Sequence, residues 1–412
     1  MAQRKTRFDK SRFYIGTYCI AHYSQDERHV REIKECGIDF MTNAPYDNKD
    51  FLDYCEKYGV GVVATGVLPG WWGGDGNNAG KFEESAPLER IKDAADKFVD
   101  HPAVWGLDVG DEPSSLDFPH YGKLISYAES LFPDKLIYLN LYPNYASVAE
   151  NTDSQVISQL GTATYQEYID KYVELVHTDY ICLDNYEFAA GELKLYDNLR
   201  IVANACRDSK RDFWIVLQVN SNNPDVWLTT DNLRHQAFSS MAFGAVSINW
   251  ACWTAGWWHN QVLDDKGEKT EQYDKLQTVN MEIRKLEPVY MAYKNISAHF
   301  AGKTTDAVAG SGVLCVPVWA NEIFANVKPG DGETLAVGYM NKREGRGHAL
   351  FLADVTNRDG GDKNRTVSFM VNPGYKVKAY HSGEEFELKC ENGVYETEIV
   401  PCGAVMITAE KE

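Results

Sequence analysis

Positive charge is scarce in this sequence. Of 412 residues, 41 are Lys or Arg against 60 Asp or Glu, a formal net charge of −19. Phosphate backbones are bound by clustered cations, so a nucleic-acid partner is excluded and a neutral ligand is expected. Long apolar runs are missing too. None reaches membrane-spanning length, and the N-terminal stretch through Phe8 has no apolar signal core. The chain therefore reads as soluble, with no membrane partner and a cytoplasmic location, a secreted protein stripped of its leader being the alternative. No C-x-x-C pair, Cys/His metal spacing or His-x-His occurs. The nine cysteines stand singly at 19, 36, 55, 182, 206, 252, 315, 390 and 402, as expected of small core residues in a reducing compartment rather than a metal centre. Neither G-x-G-x-x-G nor G-x-S-x-G is present, and no cofactor is called for.

What is present is alternation. Short apolar runs at 13–18, 38–43, 60–66, 104–112, 136–141, 180–184, 213–219 and 245–250 each precede a stretch with helical spacing. Ser24 and Glu27 suggest a capping box, Gly37 and Gly59 mark helix ends, and 272–286 is the last amphipathic helix. Eight such units predict an α/β fold, a (β/α)₈ barrel over residues 1–296. Past Pro288 the phasing changes to short runs at 313–318, 334–338, 349–353, 367–370, 376–379 and 404–407, separated by Gly/Asp/Asn turns. These predict a C-terminal antiparallel β-sandwich over 297–412.

The fourth run, Val104-Trp-Gly-Leu-Asp-Val-Gly-Asp-Glu-Pro113, ends in two carboxylates. Strict alternation places Asp108, Gly110 and Glu112 on one face and turns Asp111 away. Acids on the filled face of a barrel strand are costly unless something pairs or uses them. Chemistry in such barrels gathers where strands end. Those ends supply His22; Asn43 and Tyr46; Trp71 and Trp72; Asp111 and Glu112; Asn140 and Tyr142; Asp184, Asn185 and Tyr186; Gln218 and Asn220; and Asn249, Trp250 and Trp253, with Trp257 and Trp258 nearby. Indole faces stack on sugar C–H surfaces while amides and acids bond hydroxyls, so a carbohydrate substrate is expected at this rim. Oligomeric state is left open.

With Gly110-Asp-Glu-Pro113 closing strand four, the chain resembles the retaining (β/α)₈-barrel glycoside hydrolases of clan A that carry a small C-terminal β-domain. The resemblance implies that Glu112 is the general acid/base. It also implies a nucleophilic Glu at the end of strand seven, where this sequence has Gln218, and an amide cannot replace a carboxylate in attack on an anomeric carbon. The second acid is therefore sought at Asp184, with Glu187 behind it. Two alternatives stand beside this reading. The pair Asp111 and Glu112 also resembles that of β-hexosaminidases, where the Asp orients a substrate 2-acetamido group that acts as nucleophile. Otherwise the barrel binds carbohydrate without cleaving it.

Overall fold

The computed structural model describes residues 6–70, 72, 78–92, 98–148, 158–189, 194–254, 258–381 and 383–411. All eight expected barrel strands form: β1 Tyr14–Tyr18, β2 Phe40–Ala44, β3 Gly61–Ala64, β4 Val104–Asp111, β5 Leu136–Asn140, β6 Tyr180–Asn185, β7 Asp212–Gln218 and β8 Ala245–Ala251. The helices between and after them are α1 Glu27–Glu35, α2 Lys49–Tyr58, α3 Phe82–Ser85, α4 Glu89–Lys92, α5 Phe118–Leu131, α6 Tyr165–Leu175, α7 Leu195–Ser209, α8 Thr230–Ala242 and α9 Glu271–Tyr290. The start of α1 differs from expectation. Asp26, not Ser24, is the N-cap and accepts from the His29 N–H, because the chain spends 22–24 in a 3₁₀ turn. The α2 stop at Gly59 is as expected, with φ +65°.

The parallel strands run in the order β5-β4-β3-β2-β1-β8-β7-β6. Between β5 and β6 the ring is held by fewer bonds than a ladder. Leu141 exchanges backbone bonds with Cys182 (2.9 Å) and Asp184 (3.3 Å), while the Tyr180 hydroxyl donates to Ile137 O and accepts from Leu139 N, both at 2.9 Å. Alternate residues fill the barrel: Tyr14, Tyr18, Phe40, Val63, Tyr138, Tyr180, Cys182, Trp214 and Val216 form one buried cluster. Phe8 packs into its lower end, with ring centroids 4.9–5.7 Å from Tyr14, Phe40, Trp105 and Trp214.

Beyond the barrel come β9 Tyr293–Gly302, α10 Asp306–Ala309, β10 Cys315–Val316, β11 Phe324–Pro329, β12 Thr334–Lys342, β13 Gly347–Asp354, β14 Arg365–Val371, β15 Tyr375–His381, β16 Glu384–Phe386, β17 Lys389–Glu391, β18 Val394–Ile399 and β19 Ala404–Lys411. They make a seven-stranded and a four-stranded sheet, antiparallel except where β10 joins β9. Phe324, Val337, Leu352, Phe369 and Ile407 are packed between the sheets. The division expected at 296/297 falls inside β9. The opposite face of the larger sheet shares a core with the barrel: Met340, Phe351 and Met406 join the cluster containing Phe238 and Met241 of α8 and Tyr290 of α9.

Candidate active site

The tip of β4 departs from period two. Asp108 pairs with Tyr138 but Asp111 with Asn140, so β4 spends one more residue than β5 over this interval, a β-bulge. Gly110 supplies the unusual backbone with φ +140°, and Glu112 follows in the left-handed region at φ +49°. The slip turns Asp111 inward beside Asp108 and Glu112. All three line a cavity of about 930 Å³, together with Asp184 from β6. The alternation that aims Asp111 away is thereby overturned by one inserted residue.

Each acid has a defined support. Asn140 Nδ2 donates to Asp111 Oδ1 and to Asp184 Oδ1, both at 3.0 Å, and Tyr18 OH donates to Asp111 Oδ2 at 3.2 Å. Thr65 Oγ1 and the Gly110 N–H donate to Asp108 at 3.2 and 2.8 Å, and Trp72 Nε1 donates to Glu112 Oε2 at 3.0 Å. Asp184 Oδ2, though buried, finds no hydrogen-bond partner among the described residues. Among the described residues lining the cavity there is no Lys, Arg or His to neutralise the acids. Burial, reinforced by the Asp111 charge, pushes Glu112 up to about 8 against the opposing Trp72 N–H. Asp108 is pushed up to about 7, chiefly by burial. Burial also raises Asp111, and Asp184 is raised by burial and then by the charges of Glu112 and Asp111. The walls are Asn43, Trp72, Tyr186 and Trp258, the last two meeting edge-to-face at 4.5 Å. Trp72 is 62% exposed, an indole open to a ligand.

Of the residues expected at the rim, Asn43, Trp72, Asp111, Glu112, Asp184 and Tyr186 line the cavity, and Asn140 ties two of its acids together. Trp71 and Trp257 lie outside the described residues. His22, Tyr46, Tyr142, Asn185, Gln218, Asn220, Asn249, Trp250 and Trp253 do not line the cavity. Trp250 faces outward from β8, fully buried, and donates to Asn280 of α9 at 2.9 Å; Trp253 is buried against Tyr273. Gln218 spends its amide on the backbone, accepting from Phe188 N and donating to Asn220 O, and Asn220 Oδ1 accepts from Cys252 N. Tyr142 is buried beyond the cavity lining. Glu187 accepts from Leu195 N and faces Arg358 at 3.5 Å, which removes it as a second acid. Asp108, expected on the same face as Glu112, lines the cavity as well; Tyr18 and Thr65 also line it and were not singled out from the sequence, although Tyr18 sits at an inward position of β1. No three His, Cys, Asp or Glu side chains among the described residues are grouped to hold a metal ion. No helix among them is long and apolar enough to cross a membrane.

No family model and no curated protein matches the chain. Solved structures do. An Anoxybacillus alpha-amylase aligns at TM-score 0.53 and 9% identity over 98% of this chain and 99% of its own, which shows the shared fold. The glycoside hydrolase family 30 subfamily 8 xylanase Xyn30A of Clostridium acetobutylicum aligns at 0.46 and 12%, covering 99% and 97%. Alpha-L-fucosidase isoenzyme 2 of Paenibacillus thiaminolyticus aligns at 0.47 and 9%, covering 97% and 100%.

Proposed function

We propose that the chain is an O-glycoside hydrolase, exo-acting on a small oligosaccharide or glycoside, with Glu112 as general acid/base and Asp184 as the second carboxylate. The observation that carries this reading is that Glu112 and Asp184 face one cavity with no cation among its described lining residues, where burial and the Asp111 charge push Glu112 up to about 8. A carboxyl still protonated at neutral pH is what a glycosidic oxygen needs as it leaves. The Asp184 carboxylate attacks the anomeric carbon while the C–O bond to the aglycone breaks and the Glu112 proton passes to the departing oxygen. Glu112, now a carboxylate, then takes a proton from water as that water attacks the same carbon and releases Asp184. Trp72, Tyr186 and Trp258 offer ring faces to the sugar.

A panel of aryl glycosides tests this. Wild type hydrolyses at least one member with retention of configuration, read by NMR of the first-formed anomer, while Asp184→Asn loses turnover on it. Binding throughout the panel without product contradicts the proposal. The bulge that brings Asp111 into the cavity favours one second reading, in which Asp111 orients a 2-acetamido group as internal nucleophile. There, wild type cleaves only 2-acetamido sugars, Asp111→Asn is crippled, and Asp184→Asn keeps substantial activity.

A further inference from the structure

At the opposite end of the barrel from the acids, the charge reverses. A second cavity, about 190 Å³, is lined by Lys10, Arg207, Lys210, Arg211, Lys294 and Arg343, with Asp212 as its one carboxylate among the described lining residues. That is six cations against one acid in a chain whose net charge is −19. The cavity sits where the C-terminus of α7 and the start of β7 meet β9 and β12 of the sandwich, so both parts of the molecule contribute cations.

The donors are only partly spent. Arg211 is committed, its two terminal nitrogens capping Val176 O and Val173 O at the end of α6. Arg207 gives Nη1 to Asn295 Oδ1 at 2.7 Å and to Phe243 O at 3.5 Å and Nη2 to Asn204 Oδ1, all neutral acceptors, and no carboxylate lies within ion-pair distance of it among the described residues; burial lowers its pKa. Arg343 uses Nε on Met291 O and Tyr293 O, which leaves its paired Nη groups without an acceptor among the described residues. The ammonium groups of Lys210 and Lys294, both exposed, have no acceptor among the described residues either. Asp212 stands 4.0 Å from Lys10, and the charges of Lys10, Arg343 and Lys294 all act on it, so these cations converge on one place. Cations gathered around a half-enclosed space repel one another, and only a charge of the other sign relieves that repulsion.

We propose that this cavity binds a phosphate dianion, either free orthophosphate or the phosphate of a small phosphorylated metabolite, at the seam between barrel and sandwich. A guanidinium with both Nη groups available matches the geometry of phosphate oxygens, and the surrounding ammonium groups supply the second charge. The size of the cavity admits a small ion, and the strongly acidic remainder of the molecule repels an extended polyanion.

Isothermal titration of the full chain at fixed ionic strength tests the site with orthophosphate, glycerol 1-phosphate and chloride. The matched variant is Lys210→Asn with Lys294→Gln. Both side chains are exposed, and Asn tolerates the left-handed φ of +59° at position 210, so the fold is kept and circular dichroism verifies it. Wild type binds phosphate but not chloride, and the double variant binds at least about tenfold more weakly, a loss of about 1.4 kcal/mol or more. Binding of glycerol 1-phosphate as well identifies a monoester site, whereas binding of orthophosphate alone identifies a site for the free ion. Phosphate heats equal to those of chloride, or equal affinity in wild type and variant, overturn the proposal.

Discussion

A carboxyl that is to be protonated at pH 7 needs surroundings that make its anion costly, and Glu112 has both burial and the neighbouring Asp111 charge. Those surroundings also burden the fold. Glu112 ionises at about 8 in the folded chain against about 4.3 when unfolded. The folded state therefore holds a proton that the unfolded chain has released across that window, and stability falls as pH rises through it. Glu112→Gln removes the burden. Thermal unfolding at pH 8 is expected to show the variant more stable by roughly 2–4 kcal/mol, a gap that closes toward pH 4. Asn140 acts in the other direction, since its amide holds down the pKa of Asp111 and Asp184. Asn140→Leu is expected to move the acidic limb of the kcat/KM profile upward, because the two acids then ionise later. At this scale the sequence was legible where polar chemistry stood on strand tips and illegible where direction mattered. Both faces of a parallel barrel strand are apolar, so Trp250 and Ala251 give no sign of which points inward. Nor does the sequence tell that Glu187 is taken by Arg358, 171 positions away.

The eight barrel strands and most helix ends follow from period, caps and Gly stops, because those signals are local. The bulge in β4 was legible only in part. Gly110 inside a strand is its sequence mark, but the direction of the slip depends on the register with β5. In the sandwich, β9 and β11 went unread because Lys294, Asn295, Asn326 and Lys328 break the apolar pattern that the barrel strands keep. The bulge is itself testable as an element. A β-branched side chain cannot adopt φ +140° without strain, so Gly110→Val is expected to cost about 1–3 kcal/mol in stability. Its kcat/KM falls by about 100-fold or more as Asp111 and Glu112 lose their positions. Loss of stability with full activity would show that the acids do not depend on the bulge.

Across the whole molecule, the barrel and the larger sheet are joined through one continuous core rather than by a linker. Gly338 of β12 lies so close to α8 that an added Cβ would sit 2.3 Å from Ala242 O. Gly338→Val therefore pushes the sheet off the barrel, and roughly 2–4 kcal/mol of destabilisation is expected. Calorimetry should record a single transition at lower temperature, with activity lost in step; a sheet transition separate from barrel inactivation would mean two independent units. The chemistry proposed for the acidic cavity turns on one proton, that of Glu112. The most direct measurement is the pH dependence of kcat/KM for wild type and Glu112→Gln on a glycoside with a poor leaving group. Wild type is predicted to lose activity as pH rises through about 8, and the variant to be slower by about 10²–10⁴-fold with that alkaline limb gone. A variant as fast as wild type, or one that keeps the alkaline limb, would contradict the assignment of Glu112 as the proton donor.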